Sequence, residues 1–469
     1  MPITVGGFRR RLPDLLALAL VAGLGCTVGC LPKPWVNPPT NLLDSSWYNR
    51  NPADPAPDPD TTLAEMMSAA FGNRRLPPAP AGPPQNILVI SGGGKYGAYV
   101  AGLLAGWSAN GTRPPFDVVT GISSGALIAA MTFLGPEYDA RLGHEFTTIS
   151  QRDILRFRPV TGLLFNRGLA TSKPLSDLIA RNIDDPAFAA LCAAHRAGRR
   201  LYVATVSLTT QRAAIWDVGA IATSGRCDAR ELVHKILQAA CSIPGVMPPV
   251  EFDVELNGVR YKELHVDAGN VIQAFIRTPH GLTRGSNVYV ITSGKIFRDP
   301  LDEEPRFFRV MAASVSNTMY ALFRESATKM YADCAVAGAN FHLNALPPSV
   351  RVKPGSMTFE TGEMQLLYRV GREAAAGGVP MREVVLDRSF RSVPTVLAVV
   401  GAPMFLALLI SGLGVGVLQA ATQVNDPAVS FLPRVLVAAL VTATLGRWML
   451  ERLAAFVASS LMNMSGGAV

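Results

Sequence analysis

Apolar runs and glycine-rich turns alternate along residues 86–130. Asn86-Ile87-Leu88-Val89-Ile90 is a short β-branched run, the pattern of a strand buried on both faces. It ends in Ser91-Gly92-Gly93-Gly94-Lys95-Tyr96-Gly97, after which residues 98–108 read as helix. Residues 116–120 predict a second strand, which runs into Gly121-Ile122-Ser123-Ser124-Gly125 and a helical run over 126–131. Later strand candidates are residues 201–208, 213–218, the run ending at Asp267, and 287–291. Strand and helix in this alternation predict a three-layer α/β/α domain with a mostly parallel sheet. The long insertion between the second helix and residue 201 is where a lid or pocket wall is expected.

The two ends have different patterns. Arg9, Arg10 and Arg11 precede a ten-residue apolar run over 15–24, too short to span a bilayer alone and arranged like an export signal. Gly25-Cys26 and Gly29-Cys30 follow, as at a lipoprotein cleavage site, although Gly23 and Thr27 stand where leucine is usual. An uncleaved anchor helix is the alternative. Residues 31–84 hold 13 of the 35 prolines and read as a linker, with one short helix-spaced apolar patch at Leu63, Met66, Met67, Ala70 and Phe71. Residues 393–418 carry no charge and are long enough to cross about 30 Å of hydrocarbon. Residues 428–446, interrupted by Arg434, are either a second span or an interfacial helix. The expected division is 1–30 signal or anchor, 31–84 linker, 85–390 catalytic domain and 391–469 membrane segment.

These ends account for the composition. Charged residues are 17% of the 469 and hydrophobic residues 49%, against about 25% charged in an ordinary soluble domain. Global disorder is excluded by the apolar content, and a disulfide scaffold by six cysteines in so long a chain. The net charge of +8 is diffuse, a weak pointer to anionic membranes and a weaker one to nucleic acid. Arginines flanking the C-terminal hairpin place the main domain in the cytoplasm by the positive-inside rule, whereas the export signal places it outside; the signal is preferred, giving a bacterial cell envelope location. Cys192 and Cys227 would pair in an exported domain; buried free thiols are the alternative. No cysteine spacing matches a metal site, and no metal or other cofactor is expected.

The chemistry concentrates in the two glycine turns. A strand, a glycine loop and a helix N-terminus expose free amides to an anion. Gly92, Gly94 and Gly97 fit the dinucleotide fingerprint, with Asp117 twenty residues on, but that acid opens a strand instead of ending one. The other reading is an oxyanion hole. Gly121-Ile122-Ser123-Ser124-Gly125 between strand and helix is a nucleophile elbow, which makes Ser123 the candidate nucleophile. The six histidines (144, 195, 234, 265, 280 and 342) occupy no triad context. Asp267, at a strand end followed by small residues, is the better base.

These segments resemble the patatin-like phospholipases. Gly92 to Gly97 is similar to the family's oxyanion loop, Gly121 to Gly125 to its serine elbow, and Ala239 to Val250 to the proline-rich segment before its catalytic acid. Asp267-Ala268-Gly269 resembles its Asp-Gly-Gly/Ala motif, and Phe359, Met364, Leu367, Tyr368 and Gly371 its closing helix. The resemblance implies a Ser123–Asp267 dyad without histidine, an oxyanion hole from the Gly93 and Gly94 amides, and hydrolysis of carboxylic esters of membrane lipids. Lys95 is a possible headgroup contact, with a solvated side chain as the alternative. The loop from Ser242 to Val250 either shapes an acyl pocket or is a packing turn. Ala268 replaces the usual glycine, a departure that matters if the position needs positive φ. An acyltransferase on the same site, or an inactive membrane protein keeping the fold, would share these residues.

Overall fold

The computed structural model describes residues 80–158, 167–256, 259–297, 299, 307–353, 355–376, 382–383, 393–422, 433, 435–449 and 451–452. The expected signal, the cysteines at 26 and 30, the patch at 63–71 and nearly all of the proline-rich linker lie outside these residues. The chain divides into two compact units, Met1–Glu383 and Val384–Val469.

Among the described residues of the first unit, nine strands form one sheet. Asn86–Ile90 (β1) lies between Val118–Gly121 (β2) and, on its other side, Asn287–Ile291, all parallel. Each residue of β1 is buried except Asn86, as a central strand with helices on both faces requires. The side-chain period of two divides it: Leu88 and Ile90 enter one core, Ile87 and Val89 the other. Two short strands, Arg156–Phe157 (β3) and Ala170–Thr171 (β4), form a separate antiparallel ribbon. Arg200–Ser207 (β5) extends the parallel array beside β2.

Beyond β5 the sheet turns antiparallel. Ala213–Asp217 (β6), Val250–Leu256 (β7) and Val259–Asp267 (β8) follow, with β8 paired to both β5 and β7. Asn287–Ile291 is β9. Asn340–Asn344 (β10) pairs parallel to it, and Arg382–Glu383 (β11) closes the far edge antiparallel. The expectation of a three-layer α/β/α domain with a mostly parallel sheet therefore holds at its centre, from β10 through β5, and gives way to antiparallel pairing at both edges.

Gly97–Ala109 (α1), Ser124–Leu134 (α2), Asp139–Thr148 (α3), Gln151–Ile154 (α4), Lys173–Asn182 (α5) and Asp185–Arg196 (α6) belong mainly to the larger core. Val218–Ala222 (α7), Ala229–Ala240 (α8) and, after the long helix Phe307–Ala337 (α9), Thr361–Ala376 (α10) complete the unit. Among the described residues, α9 is the helix that packs on the opposite face, through Phe323, Met330 and Cys334.

Two expectations need correction here. Cys192 and Cys227 are both free, the first buried and the second exposed, so they form no disulfide. In the second unit Val393–Thr422 (α11) is helical, but its continuously described side chains are those of residues 401–416. Among the described residues no helix is long and apolar enough to cross a membrane, so these residues alone do not carry the expected transmembrane span.

Candidate active site

Register brings the two key residues level. Gly121 on β2 pairs with Val203 on β5, and Thr205, two residues further along β5, pairs with Asp267 on β8. Ser123, two residues past Gly121, is thus in the row of Asp267, with β5 between them. Two strand spacings are about 10 Å, a gap the two side chains close from either side. Asp267 accepts a hydrogen bond from the Ser123 hydroxyl.

Ser123 has φ 54° and ψ −132°, outside the regions an L-residue prefers, and is one of two non-glycine residues with positive φ among the described residues. Such a conformation costs about 1–3 kcal/mol and persists only where the surroundings fix it. Three contacts do so. Ala126 N–H donates to Ser123 O at 2.8 Å, Ile122 N–H donates to Ile90 O at 3.3 Å, and the Cys241 thiol donates to Ser123 O at 3.1 Å. The flanking glycines are steric requirements: a Cβ at Gly121 would lie 2.4 Å from Gly125 O, and one at Gly125 would lie 2.5 Å from Ser91 O. The strained turn presents Oγ at the N-terminus of α2, where the helix dipole favours developing negative charge.

Asp267 ends β8 and is buried. Burial pushes its carboxyl from 3.8 up to about 6, while the Ser123 hydroxyl and the Gly269 amide, donating at 2.8 Å, pull it down. Desolvation therefore outweighs hydrogen bonding and gives a carboxylate more basic than a surface aspartate. Ala268 does not have positive φ and packs fully buried in the second core, so the position tolerates a methyl group in place of the family's glycine.

The first glycine loop stands beside the serine. A Cβ on Gly92 would lie 3.0 Å from Ser123 Cβ, and one on Gly93 would lie 2.0 Å from Ser293 O. Gly94 has φ 58°. Among the described residues the Gly93 and Gly94 amides donate to no backbone acceptor, whereas the Lys95 amide is already given to Ser356 O at 2.9 Å. Gly94 lines the same cavity as Ser123. Gly97 packs under the loop against Phe146, and Gly269 faces Asp267 Oδ1.

Lys95 corrects both sequence expectations. It is fully buried, and its Nζ donates to Glu363 Oε2 at 2.6 Å, Lys353 O at 2.8 Å and Thr358 Oγ1 at 3.2 Å. With all three donors used, it pins the glycine loop to α10 and meets neither a headgroup nor solvent. Asp117 rules out the nucleotide reading, because its carboxylate accepts from Asn86 N at 2.8 Å at the opposite, amino end of β1.

An apolar cavity with about 850 Å³ of empty space, partly open to solvent, has Ser123 in its wall. Its walls come from α2 (Leu127, Ala130, Met131), from the insertion (Phe146, Ile149, Leu175, Ile179) and from Ile243 and Met247. The insertion is thus a pocket wall, and the loop after Ser242 shapes the pocket.

A family model described as patatin-like phospholipase matches residues 88–278. Those residues are a patatin-like phospholipase domain. The match begins in β1 and ends just past Asp267, so it contains both glycine turns and the acid. Over 84% of this chain and 94% of its own, VipD from Legionella pneumophila aligns with it at TM-score 0.35 and 12% identity, values too low to establish a shared fold.

A second family model, bacterial export proteins family 3, matches residues 388–458. The flagellar biosynthetic protein FliQ of Buchnera aphidicola (strain APS) is 41% identical over 68 residues, 14% of this chain and 75% of that protein. FliQ of Salmonella typhimurium is 38% identical over 63 residues, 13% of this chain and 71% of that protein. The C-terminal segment belongs to this export family and follows the patatin-like domain in sequence.

Sequence reading missed two residues at the site. Cys241 lies in the proline-rich segment beside Ser123 O, and its thiol is held protonated by burial and then by the charge of Asp267. Gln273 follows Asp267 by six positions, and its Nε2 donates to Gly269 O. The sequence offered no signal for either, because both are defined by a contact across strands or turns.

Proposed function

We propose that the patatin-like domain is a serine lipid acyl hydrolase working through a Ser123–Asp267 dyad. The observation that carries this reading is the pair itself: a serine on a strained strand-to-helix turn, hydrogen-bonded to a buried carboxylate with its pKa raised to about 6, in the wall of an apolar cavity. In the first step Ser123 Oγ attacks the ester carbonyl and its proton passes to Asp267. The oxyanion forms beside the free Gly93 and Gly94 amides, and loss of one such donor costs about 100–1,000-fold in rate. Collapse breaks the bond to the leaving alcohol, which takes the proton from Asp267. The acyl chain occupies the cavity, and in the second step an acceptor oxygen releases it from Ser123.

The C-terminal segment holds the enzyme in a bacterial membrane on this reading. Its membership of the export family and the uncharged run over residues 393–418 support the assignment, and tethering raises the effective concentration of the site at a lipid surface. The test is product analysis. Detergent-solubilised full chain and phospholipid should yield free fatty acid and lysophospholipid, with a covalent acyl adduct on Ser123 in quenched samples. An adduct elsewhere, or release of a phosphorylated headgroup, would contradict the proposal.

A further inference from the structure

Acylation and deacylation place different demands on the site. Acylation needs a nucleophile, a base and an oxyanion hole, all assigned above. Deacylation also needs a position for the acceptor, whose oxygen must face the acyl carbon while one O–H points at Asp267. Water has a second O–H, and a monohydric alcohol has none to spare.

Gln273 provides an acceptor for that second O–H. The side chain is 6% exposed. Its Nε2 donates to Gly269 O, which fixes the carboxamide, because the flipped amide would set two oxygens against each other. Oε1 then points away from the Asp267 turn, and no donor among the described residues bonds it. Its direction follows from the glycines. A Cβ on Gly269 would lie 3.2 Å from Asp267 Oδ1 and 3.3 Å from Gln273 Nε2. A Cβ on Gly92 would lie 3.0 Å from Ser123 Cβ and 3.6 Å from Gln273 Oε1. The carboxamide thus reaches from the acid turn to the glycine loop, with its free oxygen on the serine side.

We propose that Gln273 selects water as the acyl acceptor, making the site a hydrolase in preference to a transferase; this rests on the acyl-enzyme reading above. Water donates one O–H to Asp267 and the other to Gln273 Oε1. As its oxygen bonds the acyl carbon, the first proton passes to Asp267. The bond from the carbonyl carbon to Ser123 Oγ then breaks, and Oγ recovers that proton. An alcohol makes only the Asp267 bond and leaves Oε1 unpaired.

The test is a partition experiment on detergent-solubilised full chain, with a 4-nitrophenyl butyrate donor and added methanol. The readout is the ratio of methyl butyrate to butyrate, which reports acceptor choice independently of the acylation rate. Removing Oε1 in Gln273→Met should raise that ratio about tenfold, as loss of a buried hydrogen bond predicts. Gln273→Asn, which withdraws the oxygen but keeps a carboxamide, should shift it the same way. A ratio that does not rise in Gln273→Met and Gln273→Asn would overturn the proposal. Absence of Ser123-dependent nitrophenol release from the wild type would instead refute the hydrolase reading beneath it.

Discussion

Asp267→Asn should stabilise the protein at pH 8 and leave it unchanged near pH 4. Burial raises the carboxyl from 3.8 to about 6, a difference of about two units, or about 3 kcal/mol at 1.36 kcal/mol per unit. A carboxyl raised in the folded state binds its proton more tightly there than in the unfolded chain. Folding is therefore favoured while the group is protonated, and that advantage is lost as pH rises from about 4 through 6. At pH 8 the folded protein carries the full cost of the buried charge. Asparagine removes the charge, keeps an oxygen for the Gly269 amide and changes little in volume. The expected gain is about 2–3 kcal/mol at pH 8, less any loss at the Ser123 contact. At about 2–4 °C per kcal/mol for a domain of this size, that is a rise of several degrees in the midpoint of the patatin-like unit. The assay is thermal unfolding of wild type and variant in the same detergent from pH 4 to pH 8. A wild-type-minus-variant difference that stays flat across that range would refute the reasoning, as would a variant destabilised at pH 8. The same shift predicts the activity profile: with Asp267 as the proposed base, kcat/KM falls below pH 6, where it is protonated, and a limb near 4 would show an unperturbed carboxylate.

Three further outcomes follow from the packing. Lys95→Met leaves Glu363, Lys353 O and Thr358 without their buried partner, and should cost about 3–5 kcal/mol in denaturant unfolding; a loss under 1 kcal/mol would place the lysine outside the scaffold. Gly93→Ala drives a Cβ into Ser293 O, so the glycine loop proposed as the oxyanion hole must move and ester turnover should fall at least about 100-fold, with wild-type turnover as the contrary result. Ala130→Leu narrows the cavity on α2; excluding two or three methylenes at about 0.8 kcal/mol each should reduce kcat/KM for long-chain esters about 15- to 60-fold relative to butyrate, and an unchanged chain-length profile would remove the acyl chain from this cavity.

The sequence was most legible where one residue type answers one local demand. The run at 86–90 has no polar interior position because β1 is covered on both faces, and Gly121 and Gly125 flank Ser123 because any Cβ there meets backbone. Asp267 was readable as a strand-end carboxylate in a motif. Lys95 was not: a lysine in a glycine loop has the pattern of a surface or ligand residue, and its burial depends on Glu363, 268 positions away. Cys241 was hidden for the same reason, its acceptor Ser123 O lying 118 positions away. Ala268 raised the question of a positive φ, yet the backbone there never enters the left-handed region. The antiparallel edge strands were equally silent, since hydrophobic alternation does not report strand direction. The export-family likeness of the C-terminal segment rests on residue-by-residue similarity, whereas hydropathy alone reported only an apolar run.

The central claim is that Ser123 and Asp267 act as one catalytic pair. Its most direct test is hydrolysis of a short-chain chromogenic ester and of a phospholipid by detergent-solubilised wild type, Ser123→Ala and Asp267→Asn, each shown to be folded by its unfolding midpoint. The account predicts turnover by the wild type and a loss of at least about 1,000-fold in both variants on both substrates. Turnover by Ser123→Ala or Asp267→Asn at the wild-type rate would contradict it.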